Sequence, residues 1–240
     1  MCSIFGIYAP QRPVAELTYL ALYALQHRGQ EGAGISVGNG SDILTYKNLG
    51  LVPQVFSETV LRTQLPGFMA IGHTRYSTTG SGHVVANLQP LEFRFGDMPF
   101  AIAHNGNLVN HVELREELTA RGYQFKSSSD TEMIGALICQ FSGVSFEEAI
   151  FAATRKIKGA YSLVLLTPQN VFGIRDPHGI RPLQLGKLDG QYMLASESPA
   201  FDIVGGQFIR DIEPGELVKI SDLGLETRLY EPSAKRHICV

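Results

Sequence analysis

The sequence contains few cysteines, no long apolar run and no run of basic residues. Its three cysteines, Cys2, Cys139 and Cys239, are too few and too widely spaced for a disulfide framework or a zinc site. Such sparse cysteine usage favours a reducing compartment. No apolar run approaches the roughly 20 residues of a membrane-spanning helix, and the first residues lack the features of a secretory signal. We therefore expect a cytoplasmic protein without a membrane partner.

Charge and composition exclude a second group of functions. The formal net charge is −3 and lysines and arginines are dispersed, so no nucleic-acid partner is expected. Hydrophobic residues make up 44% of the 240 residues and charged residues 18%, which is typical of a globular protein with an ordinary core. Neither a repeat nor a Pro/Ser-rich linker interrupts the chain, so residues 1–240 are predicted to form one domain.

Short strands flank a helical middle in the predicted secondary structure. "SIFGIY" reads as a buried strand, and a helix is predicted from Pro13 to Gly29. Three helices follow in the middle, two of them introduced by capping-box patterns at Asn110 and Ser145. Four strands are predicted after residue 160. This order lacks regular βαβ alternation and predicts an α+β fold of antiparallel sheets with helices packed outside.

Cys2 is the first candidate for chemistry. Removal of Met1 would give Cys2 both a thiol and a free α-amino group. That amine titrates at roughly 7.7–8.0, so it can accept the thiol proton as the sulfur attacks a substrate. Small residues commonly follow an initiator methionine, however, and Cys2 taken alone is better interpreted as the start of a strand.

Three further motifs each allow a chemical and a structural interpretation. Arg75 in "GHTRYSTTG" can clamp a carboxylate or pair with a structural acid. Asn105 and Gly106 in "AHNGN" can donate to an oxyanion or form an ordinary turn. Asp130 in "SSSDTE" can bind an ammonium group or cap a helix. Taken singly, each motif favours the structural interpretation.

The histidines suggest a competing enzyme class. Cys2 with His73 or His104 would form the cysteine–histidine pair of a thiol hydrolase. That interpretation leaves Arg75 and Asp130 without a function. Cys139 shares an apolar helix face with its neighbours and is expected in the core.

The order of the motifs is more informative than any one of them. "CSIFGI", "LQHRGQEGAG", "GHTRYSTTG", "HNGNL" and "SSSDTE" follow one another as in the class II glutamine amidotransferases, which this chain resembles from Cys2 to about Cys239. "IRDPHGIRPL" and "ASESPAFD" are most similar to the branch that begins purine synthesis. The resemblance implies a four-layer αββα sandwich of the N-terminal nucleophile hydrolase type. It departs from the family at Ser3, where glycine is usual.

The resemblance also implies the catalytic residues. Cys2 would attack the glutamine side-chain amide after loss of Met1, and Asn105 and Gly106 would form the oxyanion hole.

The implied substrate-binding residues include one positively and one negatively charged side chain. Arg75 would bind the α-carboxylate of glutamine and Asp130 its α-amino group, while Arg28 and Gly29 would lie beside the nucleophile. No metal site is expected in this chain.

The family branch would use the released ammonia to make phosphoribosylamine. Its members are about twice as long, and their second half binds phosphoribosylpyrophosphate through an acidic, Thr-rich loop that does not occur here. We therefore expect a phosphoribosyltransferase domain or subunit as partner, with Mg²⁺ and, in some members, an iron–sulfur cluster belonging to that half. The full-length form is expected to be a homo-oligomer.

Two alternatives remain open within the same fold. The chain could be the glutaminase part of another class II amidotransferase. It could also be a non-catalytic glutamine-binding module.

Overall fold

The computed structural model describes residues 1–76 and 84–230, and two antiparallel sheets dominate this part of the chain. The strands are β1 (Ser3–Tyr8), β2 (Gly32–Gly38), β3 (Ile43–Leu49), β4 (Met69–Arg75), β5 (Leu91–Phe95), β6 (Met98–Leu108), β7 (Gly159–Leu166), β8 (Val171–Arg175), β9 (Gln184–Leu188), β10 (Gln191–Ala195), β11 (Gln207–Asp211), β12 (Glu216–Ser221) and β13 (Gly224–Leu229). The first sheet has the order β11-β9-β10-β1-β4-β2-β3, and the second β13-β12-β8-β7-β6-β5.

Helices cover the outer face of each sheet. They are α1 (Val14–Ala24), α2 (Val52–Val55), α3 (His111–Ala120), α4 (Asp130–Gln140), α5 (Phe146–Thr154) and α6 (Pro199–Asp202), with single helical turns at Gln26–Arg28, Val60–Gln64 and Val85–Asn87. Helix α1 packs on the first sheet, and α4 packs on β5 and β6 of the second. The predicted four-layer αββα sandwich is therefore confirmed. Within the described ranges, no helix is long and apolar enough to cross a membrane.

The core is divided by the sheets into three apolar layers. In β1, Phe5 and Ile7 pack with the α1 layer, whereas Ile4 packs between the two sheets. Because side chains alternate along a strand, Cys2 shares the inner face with Ile4. The nucleophile candidate thus lies at the end of the layer between the sheets.

Strand register brings the predicted motifs to this end of the sandwich. In the first sheet Ser3 lies opposite Thr74, and Gly32 opposite Arg75. In the second sheet Asn105 lies in β6 opposite Ser162 of β7. Motifs that are distant in sequence therefore converge where strands of both sheets end.

One predicted cap does not form. The capping box of Ser145 and Glu148 opens α5 as predicted. Asn110 precedes α3, but its side chain makes no cap hydrogen bond. It donates instead to the Lys156 carbonyl and accepts from the Lys158 amide. The prediction at Asn110 was wrong because a long-range partner holds its side chain.

Candidate active site

Cys2 lies just before β1, and its sulfur faces the backbone that follows Arg75. The Tyr76 N–H donates to Sγ at 3.5 Å, and the thiol lies 3.6 Å from the Tyr76 carbonyl. Burial raises the pKa of the Cys2 thiol, although the Tyr76 hydrogen bond, the N-terminus and Arg75 act in the opposite direction. The thiol therefore favours its protonated form and needs a base when it attacks.

The N-terminal amine belongs to Met1 in the described chain. Burial lowers the pKa of this amine, and the positive charges of Arg28 and Arg181 lower it further. The Arg181 guanidinium also contacts the Met1 sulfur. This lowered pKa belongs to the Met1 amine, so a role as base for the amine that loss of Met1 would expose on Cys2 stays a prediction.

Arg28 and Asn105 connect Cys2 to both sheets. Arg28 Nε donates to the Cys2 carbonyl at 3.0 Å. In the amide orientation that gives both of its atoms a partner, Asn105 Nδ2 donates to the same carbonyl at 3.1 Å and Oδ1 accepts from Arg28 Nη2 at 3.3 Å. An amide NH₂ carries two donors, so the geometry is compatible with a second hydrogen bond to an oxyanion.

Two glycines allow the backbones around this group to approach closely. A Cβ at Gly29 would lie 2.7 Å from the Thr74 carbonyl carbon and 2.8 Å from that of Arg75. A Cβ at Gly106 would overlap the Ala160 carbonyl oxygen. Both positions therefore require glycine for packing, whatever else they contribute.

Arg75 occupies the end of β4 on the same side as Cys2. Its side chain is buried, Nη1 donates to the Asn87 carbonyl at 2.8 Å, and Nε lies 3.7 Å from a Glu31 carboxylate oxygen. The structural interpretation, pairing with an acid, is thus present in the molecule. A role toward a substrate carboxylate stays a prediction.

Asp130, the first residue of α4, lies on the side of the second sheet and contacts β6. Its carboxylate accepts from the Leu108 N–H at 3.1 Å and lies 3.4 Å from His104 Nδ1. Burial alone would raise the pKa of Asp130, but His104 and the backbone hydrogen bonds of Leu108 and Thr131 lower it overall. Ser129, not Asp130, caps α4 through the Thr131 N–H. The helix-cap interpretation of Asp130 is therefore wrong.

The histidines do not support a cysteine–histidine pair. Within residues 1–76 and 84–230, the hydrogen bonds of Cys2 Sγ go to Tyr76 rather than to His73 or His104. His73 is fully buried, and burial with the nearby Arg75 charge lowers its pKa to about 3. The His104 ring is engaged by Asp130 and the Thr131 hydroxyl.

The other cysteines lie outside this group. Cys139 donates to the Arg94 carbonyl at 3.1 Å, and burial raises its pKa to about 11. Cys239 and the hydroxyl-rich turn after Tyr76 lie outside the described residues. In the part that is described, no three His, Cys, Asp or Glu side chains come together as a metal site.

Sequence reasoning missed two contributors to the site. Glu197 forms an ion pair with Arg28 and contacts the ring of His27. Its position within "ASESPAFD", two residues after β10 ends, was the available signal. Tyr76 contributes backbone atoms only, and no side-chain pattern could have found it.

The comparisons with known proteins agree with this geometry. A family model described as "Glutamine amidotransferase domain" matches residues 73–202. The chain belongs to the glutamine amidotransferase family. This confirms the resemblance that the order of the motifs indicated.

The relatives in this family are longer than this chain. The chain is 48% identical to the amidophosphoribosyltransferase of Synechococcus elongatus and 50% identical to that of Synechocystis sp., covering 100% of this chain in both cases. The B. subtilis glutamine phosphoribosylpyrophosphate amidotransferase, solved with ADP and GMP, is 38% identical with a TM-score of 0.89 over 96% of the chain. The chain spans 49% of the length of each of these three proteins.

Proposed function

We propose that the chain hydrolyses the side-chain amide of glutamine through a thioester on Cys2. The observation that carries the proposal is the convergence of a thiol, an amide donor, a guanidinium and a carboxylate from both halves of the sandwich at one end of the inter-sheet layer. Family membership supports the same reaction. A binding protein would need the charged groups but not the thiol.

The chemistry follows from the residue types. Cys2 Sγ forms a bond to the amide carbon, and the α-amino group exposed by loss of Met1 takes the thiol proton. Asn105 and Gly106 donate to the oxyanion that forms, since such donors typically contribute about 10²–10³ in rate. The C–N bond then breaks, the proton passes to the leaving ammonia, and water hydrolyses the thioester to glutamate.

The substrate is selected through its two charged ends. Arg75 receives the α-carboxylate and Asp130 the α-ammonium group, as charge-assisted hydrogen bonds allow. The lowered pKa of Asp130 keeps its carboxylate ionised at neutral pH. Arg28 and Gly29 lie beside the nucleophile: Arg28 donates to the Cys2 carbonyl, and Gly29 packs against the backbone of Arg75.

The ammonia would serve phosphoribosylamine formation, the first step of purine synthesis. The names of the relatives support this use of the ammonia over the reaction of another class II amidotransferase. A phosphoribosyltransferase domain or subunit would supply the second site, with Mg²⁺ and, in some relatives, an iron–sulfur cluster. We infer that the protein is cytoplasmic, since Cys2 and Cys139 are free thiols. The full-length form is proposed to be a homo-oligomer.

The decisive experiment measures glutamate and ammonia from glutamine with the chain after removal of Met1. We expect turnover in the unchanged protein and loss of about 10⁴-fold or more in Cys2→Ala, because the nucleophile is removed. Cys139→Ala is the matched control and should retain turnover. Folded protein that binds glutamine without releasing ammonia would instead favour the non-catalytic module.

The second substrate is tested in the same assay. Phosphoribosylpyrophosphate should neither bind tightly by calorimetry nor stimulate ammonia release from this chain alone, because coupling requires both sites. Strong stimulation of ammonia release without an added partner would contradict the proposal that phosphoribosylpyrophosphate binds to the partner domain or subunit.

A further inference from the structure

Glu197 lies beside the nucleophile although it is distant from it in sequence. Ser196, the residue before it, forms two hydrogen bonds with Ile4 of β1. The Ser196 N–H donates to the Ile4 carbonyl at 3.0 Å, and the Ser196 hydroxyl accepts from the Ile4 N–H at 3.0 Å. The backbone that carries Glu197 is therefore fixed against the start of β1, two residues from Cys2.

Arg28 is the group through which Glu197 can act. The Arg28 guanidinium donates to the Cys2 carbonyl and, through Nη2, to Asn105 Oδ1. Its remaining terminal nitrogen, Nη1, donates to Glu197. Arg28 is only 6% exposed, and a buried cation needs a paired counter-charge. Among the ion pairs of the described residues, Glu197 is the carboxylate that Arg28 contacts.

Glu197 is itself held from the other side. Its second carboxylate oxygen lies 2.8 Å from His27 Nε2. Burial acts to raise the pKa of Glu197, but Arg28 and His27 outweigh it and lower the pKa overall. The carboxylate is therefore ionised at neutral pH and keeps its two oxygens on two different partners.

We propose that Glu197 is a positioning residue that holds Arg28 against the Cys2 carbonyl and the Asn105 amide. The inference rests on the proposed glutaminase function. Without the carboxylate, the Arg28 guanidinium turns toward other acceptors. Cys2 and Asn105 then lose the hydrogen bonds through which Arg28 connects them.

The expected effect falls on the chemical step rather than on substrate binding. Displacing reacting groups by about 1 Å can lower a rate by roughly 10²-fold. The charged ends of glutamine are assigned to Arg75 and Asp130, which Glu197 does not contact in the described hydrogen bonds and ion pairs. A structural defect alone would not separate kcat from KM in this way.

The test compares Glu197→Gln with Glu197→Asp in the chain after Met1 removal. We expect Glu197→Gln to lower kcat about 10- to 100-fold while KM changes less than about threefold. Glu197→Asp keeps the charge and should restore part of the loss. Glu147→Gln is the matched control, since it breaks the ion pair of Glu147 with Lys219, 3.1 Å apart, outside the site.

A double-mutant cycle tests whether Glu197 acts through Arg28. In an Arg28→Lys background, Glu197→Gln should cost less than about threefold in kcat, because coupled residues are non-additive. Fully multiplicative losses, an unchanged kcat in Glu197→Gln, or a rise in KM alone would overturn the inference.

Alkylation of Cys2 by iodoacetamide gives a measurement that does not depend on turnover. Release of the anchor should expose the thiol and raise the rate of Cys2 alkylation at least about threefold in Glu197→Gln, read on the N-terminal peptide by mass. An equal rate in both proteins would overturn the inference. If the unchanged chain fails to hydrolyse glutamine, the proposed function fails, while this comparison still decides the role of Glu197.

Discussion

The two halves of the sandwich contribute different groups to the candidate site. Arg75 at the end of β4 and Arg28 in the turn after α1 give the first-sheet side two guanidiniums beside Cys2. The second-sheet side contributes the amide of Asn105 and the carboxylate of Asp130. An α-amino acid is a zwitterion, and a site divided in this way can bind its carboxylate on one side and its ammonium group on the other.

The division shows that the site depends on how the sheets pack against each other. In the proposed binding mode, Arg75 and Asp130 bind the two ends of glutamine from opposite halves of the sandwich. The charged groups on the two sides also have different partners. Arg75 lies next to Glu31 and Arg28 forms an ion pair with Glu197. The Asp130 carboxylate instead contacts His104 and accepts a hydrogen bond from a backbone N–H.

Among changes to the charged and packing groups on the two sides, the largest expected effect comes from removing the negative charge of Asp130. Asp130→Asn should lower kcat/KM for glutamine by about 10- to 100-fold, the range for a hydrogen bond to a charged group. An analogue without the α-amino group should lose less than about threefold. Ammonia release from both substrates is measured, with Glu147→Gln as control. Equal losses for the two substrates would show that Asp130 does not bind the ammonium group.

A smaller effect is expected from disturbing the first-sheet side by a single methyl group. In Gly29→Ala the added Cβ would meet the backbone of Thr74 and Arg75. The displaced end of β4 should lower kcat/KM about tenfold. Gly143→Ala is the matched control, because a Cβ there meets no atom within 4 Å. Unchanged activity in Gly29→Ala would mean that Arg75 tolerates movement and is not a tightly placed ligand.

The effect expected to be smallest at neutral pH concerns His73, which lies between the two sides and is held neutral. Its folded pKa of about 3 lies below the ordinary value, so the unfolded chain binds this proton first as the pH falls below about 6.5. Folding stability should therefore drop by about 1.4 kcal/mol per pH unit from this residue between those values. His73→Gln should flatten the pH dependence of the unfolding free energy measured with urea. A slope identical to that of the unchanged protein would contradict a neutral buried histidine.

Much of the fold was predictable because its signals are local. The strand at "SIFGIY", the helix that follows Pro13 and the capping box of Ser145 all depend on neighbouring residues. Strands β5, β9, β11 and β13 were missed. The last two are edge strands with mostly exposed residues, which carry little apolar alternation. Strand β9 is short and contains Gly186 and Lys187, whereas the alternation of "LEFRF" in β5 was a signal that sequence reasoning overlooked. Asn110 was misread because its partners lie more than 40 residues away.

Sequence reasoning gave candidate residues for the site but not the contacts between them. The family motifs identified Cys2, Arg75, Asn105 and Asp130, and the fold brings them to one place. The support from Glu197 could not be predicted, since 169 residues separate it from Arg28. Long-range ion pairs of this kind leave no periodic pattern in the sequence.

The hydrogen bonds to the Cys2 carbonyl have a consequence for maturation. They hold Cys2 through its own carbonyl, which lies outside the Met1–Cys2 peptide bond whose cleavage would free the amine, while Met1 is 54% exposed. Cleavage of the Met1–Cys2 bond therefore leaves every described contact of that carbonyl in place. If turnover requires the free amine, the uncut chain is a folded and latent form, and a single proteolytic event would activate it without refolding.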